Sequence, residues 1–251
     1  MRTNLFLLLL TVASAAAANE PLGWSGQGEA GIQKASGNTD SETVNLGLAF
    51  LWTNQDWSNE FDLSVYKSSN NGLDSANSVE AGYTLKRELT ERSNLFFSLS
   101  YLDDEFDGFN EQSSVSAGYG YKVFDTETLT WETSIGVGYR DAEQVILPEI
   151  GSTDEIQFVD VGGATGVLRS KFKKQITENT KFKWNIKSEI GSDNTFVQSD
   201  AALFVSMNAR FSLKAQLLVR HNTDPAPMLD ETDTISMLSL VYNFGDQPKA
   251  E

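Results

Sequence analysis

The sequence predicts an all-β protein, a transmembrane antiparallel up-and-down β-barrel of about twelve strands. Two observations predict this fold: apolar and polar side chains alternate along many short segments, and short connections alternate with longer ones. Successive side chains of a strand point to opposite faces of the sheet. A barrel wall can therefore cross a membrane without a long apolar run, which is compatible with the mean hydropathy of −0.30.

The alternation is clearest where Val79, Ala81 and Tyr83 are separated by Glu80 and Gly82. Glycines and lysines blur the two faces of the eighth segment, which makes it the least regular of the set. The segments predicted as strands are Trp24–Lys34, Val44–Trp52, Trp57–Val65, Val79–Leu85, Leu95–Tyr101, Val115–Val123, Leu129–Tyr139, Phe158–Phe172, Phe182–Ile190, Ala201–Val205, Phe211–Val219 and Leu238–Phe244.

The connections between these segments form two alternating sets. One set is short, and the other is usually longer and richer in Gly, Asn and Asp, with residues 36–41 and 191–194 as short exceptions. Short periplasmic turns and long extracellular loops are typical of outer-membrane barrels, and an even strand number places both termini at the periplasmic end. The predicted long loops are residues 67–75, 103–112, 143–155 and 222–232.

Aromatic residues give an independent indication of a membrane boundary. All five tryptophans have the apolar parity of their strands and lie near a short turn or a chain end. Because aromatic rings favour the membrane–water interface, this placement favours a membrane barrel over a soluble β-sandwich, which would show a similar alternation. Tyr101 and Tyr139 are candidates for a second ring of aromatics at the long-loop end. The predicted periplasmic ring comprises Trp24, Trp52, Trp57, Trp131, Trp184, Phe97, Tyr121, Phe172, Phe182, Phe211, Tyr242 and Phe244.

The chain ends divide the sequence into three parts. Residues 1–18 combine Arg2, a short apolar run and an alanine-rich exit, the pattern of a cleaved secretory signal peptide. Residues 19–244 form the predicted barrel, and residues 245–251 form a short periplasmic tail. The strand that ends at Phe244 resembles the C-terminal signal that the outer-membrane assembly machinery recognises. We therefore expect export to the outer membrane, with the lipid bilayer and that machinery as partners.

Composition excludes several classes of function. The chain contains no cysteine, which rules out disulfides and thiolate metal sites. The net charge of −16 disfavours binding to nucleic acid. We predict no cofactor.

Several short motifs resemble those of the salt-induced outer membrane protein family, an uncharacterised group of Gram-negative barrels. The resemblance covers residues 23–244 and implies the fold and location, and only by analogy an osmotic role. The family supplies no functional residues. The motifs are Gly23-Trp24-Ser25-Gly26, Ser36-Gly37-Asn38-Thr39-Asp40, Leu89-Thr90-Glu91-Arg92-Ser93, Ser116-Ala117-Gly118-Tyr119-Gly120-Tyr121 and Arg220-His221-Asn222-Thr223-Asp224.

Two features raise the question of catalysis or metal binding. His221, the single histidine, has outward parity, and Asn222 with nearby serines could complete a triad, but no nucleophile motif precedes it. The acidic residues Asp103, Asp104, Glu105 and Asp107 offer oxygen ligands for Ca²⁺, but without the spacing of a calcium loop. We therefore predict no enzyme and no catalytic, cofactor or metal residues, and keep lipid hydrolysis as a minor alternative.

The predicted inward face carries charges of both signs. They either line a narrow water-filled path or pair and fill the lumen. Barrels of about eight strands are filled by side chains and barrels of about sixteen leave a channel, so twelve strands are compatible with both outcomes. The sequence thus predicts a narrow channel for ions or small solutes, with a non-conducting structural or surface-interaction barrel as the alternative. The inward charges are Glu29, Glu60, Asp62, Glu80, Glu132, Lys86, Arg140, Lys181, Lys183, Lys187, Lys214 and Arg220.

Overall fold

A computed structural model describes residues 23–35, 41–104, 109–146, 157–192, 194–225 and 230–245. Within them the chain forms one closed antiparallel barrel in which every strand pairs with its sequence neighbours and β1 pairs with β12. The predicted fold class is confirmed. The strands are β1 (Gly23–Ala35), β2 (Ser41–Thr53), β3 (Trp57–Asn70), β4 (Leu73–Thr90), β5 (Ser93–Asp104), β6 (Phe109–Asp125), β7 (Leu129–Ile146), β8 (Gln157–Thr177), β9 (Thr180–Ile190), β10 (Thr195–Ser206), β11 (Phe211–Asn222) and β12 (Thr232–Gly245).

The outer face of the barrel is an exposed apolar band. Ile135, Val137 and Leu238 are 63%, 73% and 65% exposed, and the other strands contribute similar side chains. Soluble monomers rarely expose so large an apolar surface, whereas lipid tails cover it without cost. No helix in the described parts of the chain is long and apolar enough to span a membrane.

Aromatic side chains gather at the end of the barrel that carries the short turns, which we call the turn end. Trp24 stacks on Phe50 with ring centroids 6.1 Å apart, and Phe211 lies 5.2 Å from Tyr242. A bulge between Lys122 and Phe124 adds Phe124, which stacks on Trp131 at 6.1 Å. The bulge was not predicted from the sequence.

The turns at this end are held by side chains as well as by the ladder. The carboxamide oxygen of Asn54 accepts hydrogen bonds from the backbone N–H groups of Asp56 and Trp57 at 3.0 and 2.8 Å. Asn208 does the same for Arg210 and Phe211, both at 2.9 Å. Such Asx geometry favours a tight turn, and it explains why these connections stay short.

At the opposite end, called the loop end, the structure corrects one prediction. The long loop expected over residues 67–75 is a two-residue turn, Asn71-Gly72, between β3 and β4. Asn71 and Gly72 have φ angles of 51° and 79°, the left-handed conformation that Asn-Gly pairs supply in hairpins. The strands therefore continue where polar composition suggested a loop. Strands also extend into the predicted loops at 103–112 and 143–155, to Asp104 and Ile146.

Inside the barrel, glycines make room for an aromatic ring. A Cβ atom on Gly118 or Gly136 would lie 2.7 or 3.0 Å from the ring of Phe96, which points into the lumen and is 5% exposed. The guanidinium of Arg169 covers the other side of the ring, 4.6 Å from its centroid. The bulky side chain of β5 thus packs against the glycines of β6 and β7.

Several sequence predictions lie outside the described residues. These are the signal peptide at 1–18, the tail beyond Gly245, the motif at 36–40 and the acidic residues Glu105 and Asp107.

We expect Gly72→Ala to destabilise the barrel by about 1 kcal/mol, because a side chain at positive φ is strained even though Gly72 has open space around it. Gly28→Ala is the matched control, since Gly28 also has open space but no positive φ. Urea unfolding in detergent micelles measures both. An equal loss in the two variants would contradict the assignment of strain to this turn.

Candidate functional site: the barrel lumen

All the charged residues predicted to point inward have the lumen-facing parity in the observed strand registers. Lys86, Arg140 and Arg220 are buried, at 8%, 7% and 3% exposure. A buried charge is costly unless it is paired and hydrogen-bonded. The partners of these groups therefore decide whether the lumen is open or filled.

The first group of partners, which we call the loop-end layer, joins opposite walls of the barrel. On β11, Nη1 of Arg220 donates to Oδ2 of Asp104 at 2.6 Å and Nη2 donates to Oε2 of Glu80 at 3.0 Å. β11 and β4 are separated by β12, β1, β2 and β3, so the pair with Glu80 crosses the lumen. Gln198 of β10, diametrically opposite β4 in the ring, donates to the other Glu80 oxygen at 3.0 Å.

A second bridge lies beside this layer. The ammonium of Lys187 on β9 contacts Glu189 at 3.0 Å and donates to Ser100 of β5 at 2.9 Å. Ser114 of β6 donates to Glu189 at 2.7 Å, and Glu189 is 2% exposed. The walls formed by β5–β6 and β9 are therefore also connected through the lumen.

The third group, the turn-end layer, lies near the other end of the strands. Lys86 of β4 contacts Glu132 of β7 at 3.0 Å and Glu60 of β3 at 3.4 Å. Lys171 of β8 donates to Glu60 as well, from the far side of the ring. Two cations and two carboxylates thus form one network across the lumen.

Between the two layers lies a cavity of about 400 Å³. The turn-end layer contributes Glu60 and Lys171 to its lining, and the loop-end layer contributes Glu80, Gln198 and Arg220. This volume falls within the range that holds small ligands in proteins. The lumen thus contains a chamber with an ion-pair layer at each end.

The histidine considered for catalysis lies away from the lumen. Nδ1 of His221 is 2.8 Å from the hydroxyl oxygen of Thr232 on β12. Asn222, the residue proposed to complete a triad, is one position further along β11 and therefore on the opposite face, where it is 2% exposed. Asn194 donates to it at 3.3 Å. The triad hypothesis is wrong with respect to Asn222.

The acidic run considered for calcium is also divided by the strand. Asp104 points into the lumen and binds Arg220, whereas Asp103 is on the opposite face of β5. The described part of the chain contains no group of three or more His, Cys, Asp or Glu side chains arranged to hold a metal ion.

Sequence reasoning missed several lumen residues. Arg169 and Lys171 lie on the irregular β8, where parity was hard to read. Phe204 and Val241 are apolar but face inward, at 6% and 1% exposure, against the rule that apolar side chains face lipid. The alternation with Leu203 and Val205, and with Leu240 and Tyr242, is the sequence signal that assigns these two side chains to the inner face.

Comparison with known proteins assigns the chain to a family. The family model described as "Protein of unknown function, DUF481" matches residues 28–244. The chain belongs to the DUF481 family. The uncharacterised family expected from the sequence is thereby confirmed, and its salt-induced label stays a prediction.

Other similarities of this DUF481 chain are more distant. It is 28% identical over 230 residues to the uncharacterized protein YdiY of Escherichia coli (strain K12), covering 91% of this chain and 86% of that protein. The translocator domain of the autotransporter NalP from Neisseria meningitidis is 11% identical, with 89% and 87% of the two chains covered and a TM-score of 0.45. An outer membrane channel from Pseudomonas putida F1 is 10% identical, with 90% and 95% covered and a TM-score of 0.47.

We expect Lys86→Met to destabilise this DUF481 barrel by about 3 kcal/mol, because it leaves Glu60 and Glu132 without one of their cations in a buried network. Lys67→Met is the control, since its pair with Asp74 at 3.0 Å is exposed on both sides and such pairs contribute less than about 1 kcal/mol. The free energy of unfolding in urea is the measurement. A loss of similar size in both variants would show that the turn-end layer is not a buried network.

Proposed function

We propose that this protein is a narrow outer-membrane channel for ions and small polar solutes, with a lumen that its own ion pairs occlude at rest. The observation that carries the proposal is the cavity of about 400 Å³ between two layers of ion pairs that join opposite walls. A barrel that served only as a structural element has no need of such a cavity along its axis.

The chemistry of the two layers supports passage through rearrangement of side chains. Arg220, Lys86 and Lys187 are long and flexible, and each reaches its partner by extending across the lumen. When such a side chain swings back to its own wall, the path widens while the backbone of the barrel is unchanged. Side chains exchange rotamers far faster than strands separate, so conduction in short openings is expected.

Residence in the outer membrane is part of the proposal. The described strands form a closed ring, with β1 and β12 paired over Ser25–Ala30 and Leu240–Gly245, and the apolar band fits a bilayer, two properties that suit a lipid-embedded chain. The turn end then faces the periplasm, and the aromatic residues gathered there lie at the membrane–water interface. Export through residues 1–18 and assembly by the outer-membrane barrel machinery belong to the same proposal.

The alternative is a non-conducting barrel with a structural or surface role, favoured by the deep burial of Arg220 and Glu189. We further propose that the protein is not an enzyme. The separation of His221 and Asn222 onto opposite faces supports this, because Asn222 cannot then orient the imidazole, and Nδ1 of His221 instead lies beside the Thr232 hydroxyl. A His221→Ala variant that lost lipid hydrolysis present in the native protein would overturn it.

We expect Arg220→Gln to raise single-channel conductance severalfold in a planar bilayer and to shift selectivity towards cations, since Glu80 and Asp104 lose their counter-charge. Currents recorded at two salt concentrations should scale with salt. Arg87→Gln is the matched control, because Arg87 points outward over Trp57, 5.5 Å from the ring centroid, and its loss should leave the conductance unchanged.

A second variant covers the case in which Arg220→Gln does not fold. The triple variant Arg220→Gln, Glu80→Gln, Asp104→Asn removes the three charges of the loop-end layer together, so none of them is left without its partner in that layer. We expect this variant to fold and its conductance to rise. A native barrel that is folded but silent, combined with a silent triple variant, would overturn the channel proposal and favour the structural alternative.

A further inference from the structure

Three lysines on one side of the lumen form no salt bridge with any described residue. They are Lys173, Lys181 and Lys183, which we call the lysine trio. Their ammonium groups make no salt bridge or hydrogen bond within the described residues, whereas the neighbouring Lys171 and Lys214 are paired with Glu60 and Glu29.

The register places two members of the trio, Lys173 and Lys183, directly opposite each other, and the third, Lys181, two residues from Lys183 on the same face of β9. Lys173 of β8 is paired with Lys183 of β9, and both side chains point into the lumen. Lys181 is paired with Phe204 of β10, which is in turn paired with Lys214 of β11. Like charges at directly opposed positions of a sheet destabilise it. The fold therefore carries an unfavourable like-charge pair, with which no carboxylate of the described residues forms a salt bridge.

The ring of Phe204 lies beneath two members of the trio and Lys214. The ammonium nitrogens of Lys183, Lys181 and Lys214 lie 5.0, 5.3 and 5.9 Å from its centroid. A cation over an aromatic face is attracted to it, but the ring carries no net charge and does not cancel the repulsion among the cations. The ring does hold the lysines close together and leaves their N–H groups free to donate.

Carboxylates on the same side of the barrel form no salt bridge with the trio. Glu29 accepts from Lys214 at 2.6 Å, and Asp200, which accepts from Gln216 at 2.8 Å, attracts Lys183 without contacting it as a salt bridge. Lys183 lines the cavity and is half-buried, as is Lys181, whereas Lys173, directly opposite Lys183, is exposed. A solute in the cavity thus reaches the trio.

We propose that the lysine trio binds the anionic group of a small solute, a phosphate or a carboxylate, as it enters the lumen. The oxygens of such a group accept hydrogen bonds from Lys181 and Lys183 and neutralise the repulsion with Lys173. Charge-assisted hydrogen bonds of this kind are the strong ones in proteins. The inference deepens the proposed function and rests on it for the solute's route, but binding is measurable without any current.

The test is isothermal titration calorimetry on the full protein purified from membranes in a non-ionic detergent and a buffer low in anions. Glucose 6-phosphate and glucuronate are the probes, and they distinguish a phosphate from a carboxylate ligand; glucose is the neutral control. We expect saturable binding of at least one anionic probe and none of glucose. Lys183→Gln and Lys181→Gln should each weaken binding about tenfold, the loss of one charged hydrogen bond.

Lys174→Gln is the matched control, because Lys174 adjoins the trio in sequence but points outward and is exposed. Its binding should equal that of the native protein. A second readout is the thermal midpoint without ligand, which Lys183→Gln should raise by removing like-charge repulsion. A merely structural lysine would lower it.

The outcomes separate this inference from the proposed function. Absence of binding to both anionic probes, equal binding of glucose, or equal weakening by Lys174→Gln would overturn the anion site. None of these results depends on conductance. A silent bilayer recording combined with probe binding would overturn the channel and keep the site.

Discussion

Closure of the sheet is the constraint from which the interior of this protein follows. Once β1 pairs with β12, every second side chain of each strand is directed into a space bounded on all sides by other strands. Charged groups in that space are far from bulk water, so they must find partners across it. The ion pairs of Arg220 and Lys171 with strands on the far side of the ring are the direct result.

The same constraint links packing to electrostatics. Where β6 and β7 carry glycine, the wall is thin and Phe96 fills the space, with Arg169 stacked on its ring. Where β8 and β9 carry lysine, the wall is positive and the opposite wall, with Glu60 and Glu80, is negative. A field therefore runs across the lumen between the two walls. Such a field orients polar solutes and holds an anion against the lysine side.

The alternation along each strand was sufficient to predict the barrel, the strand number and the face of most inward charges, whereas Arg169 and Lys171 on the irregular β8 were missed. Pairing across the lumen was beyond reach, because parity gives a side chain's face but not its height, which depends on the stagger of all the strands. No sequence pattern near Arg220 predicts Glu80 as its partner. The short β3–β4 turn was different, since the Asn71-Gly72 pair is a recognised hairpin signal that polar composition on either side concealed.

The central claim is that opposite walls of the barrel are in contact through the lumen, and a double-mutant cycle between Glu80 and Arg220 tests it most directly. The single variants Glu80→Gln and Arg220→Gln and the double variant are unfolded in urea, and their free energies are compared with that of the native protein. Groups in contact couple by about 0.5–3 kcal/mol, whereas distant groups are additive to within about 0.5 kcal/mol. The structure predicts a coupling of at least about 1 kcal/mol. Additive losses would mean that the lumen is open between β4 and β11 and would contradict the account.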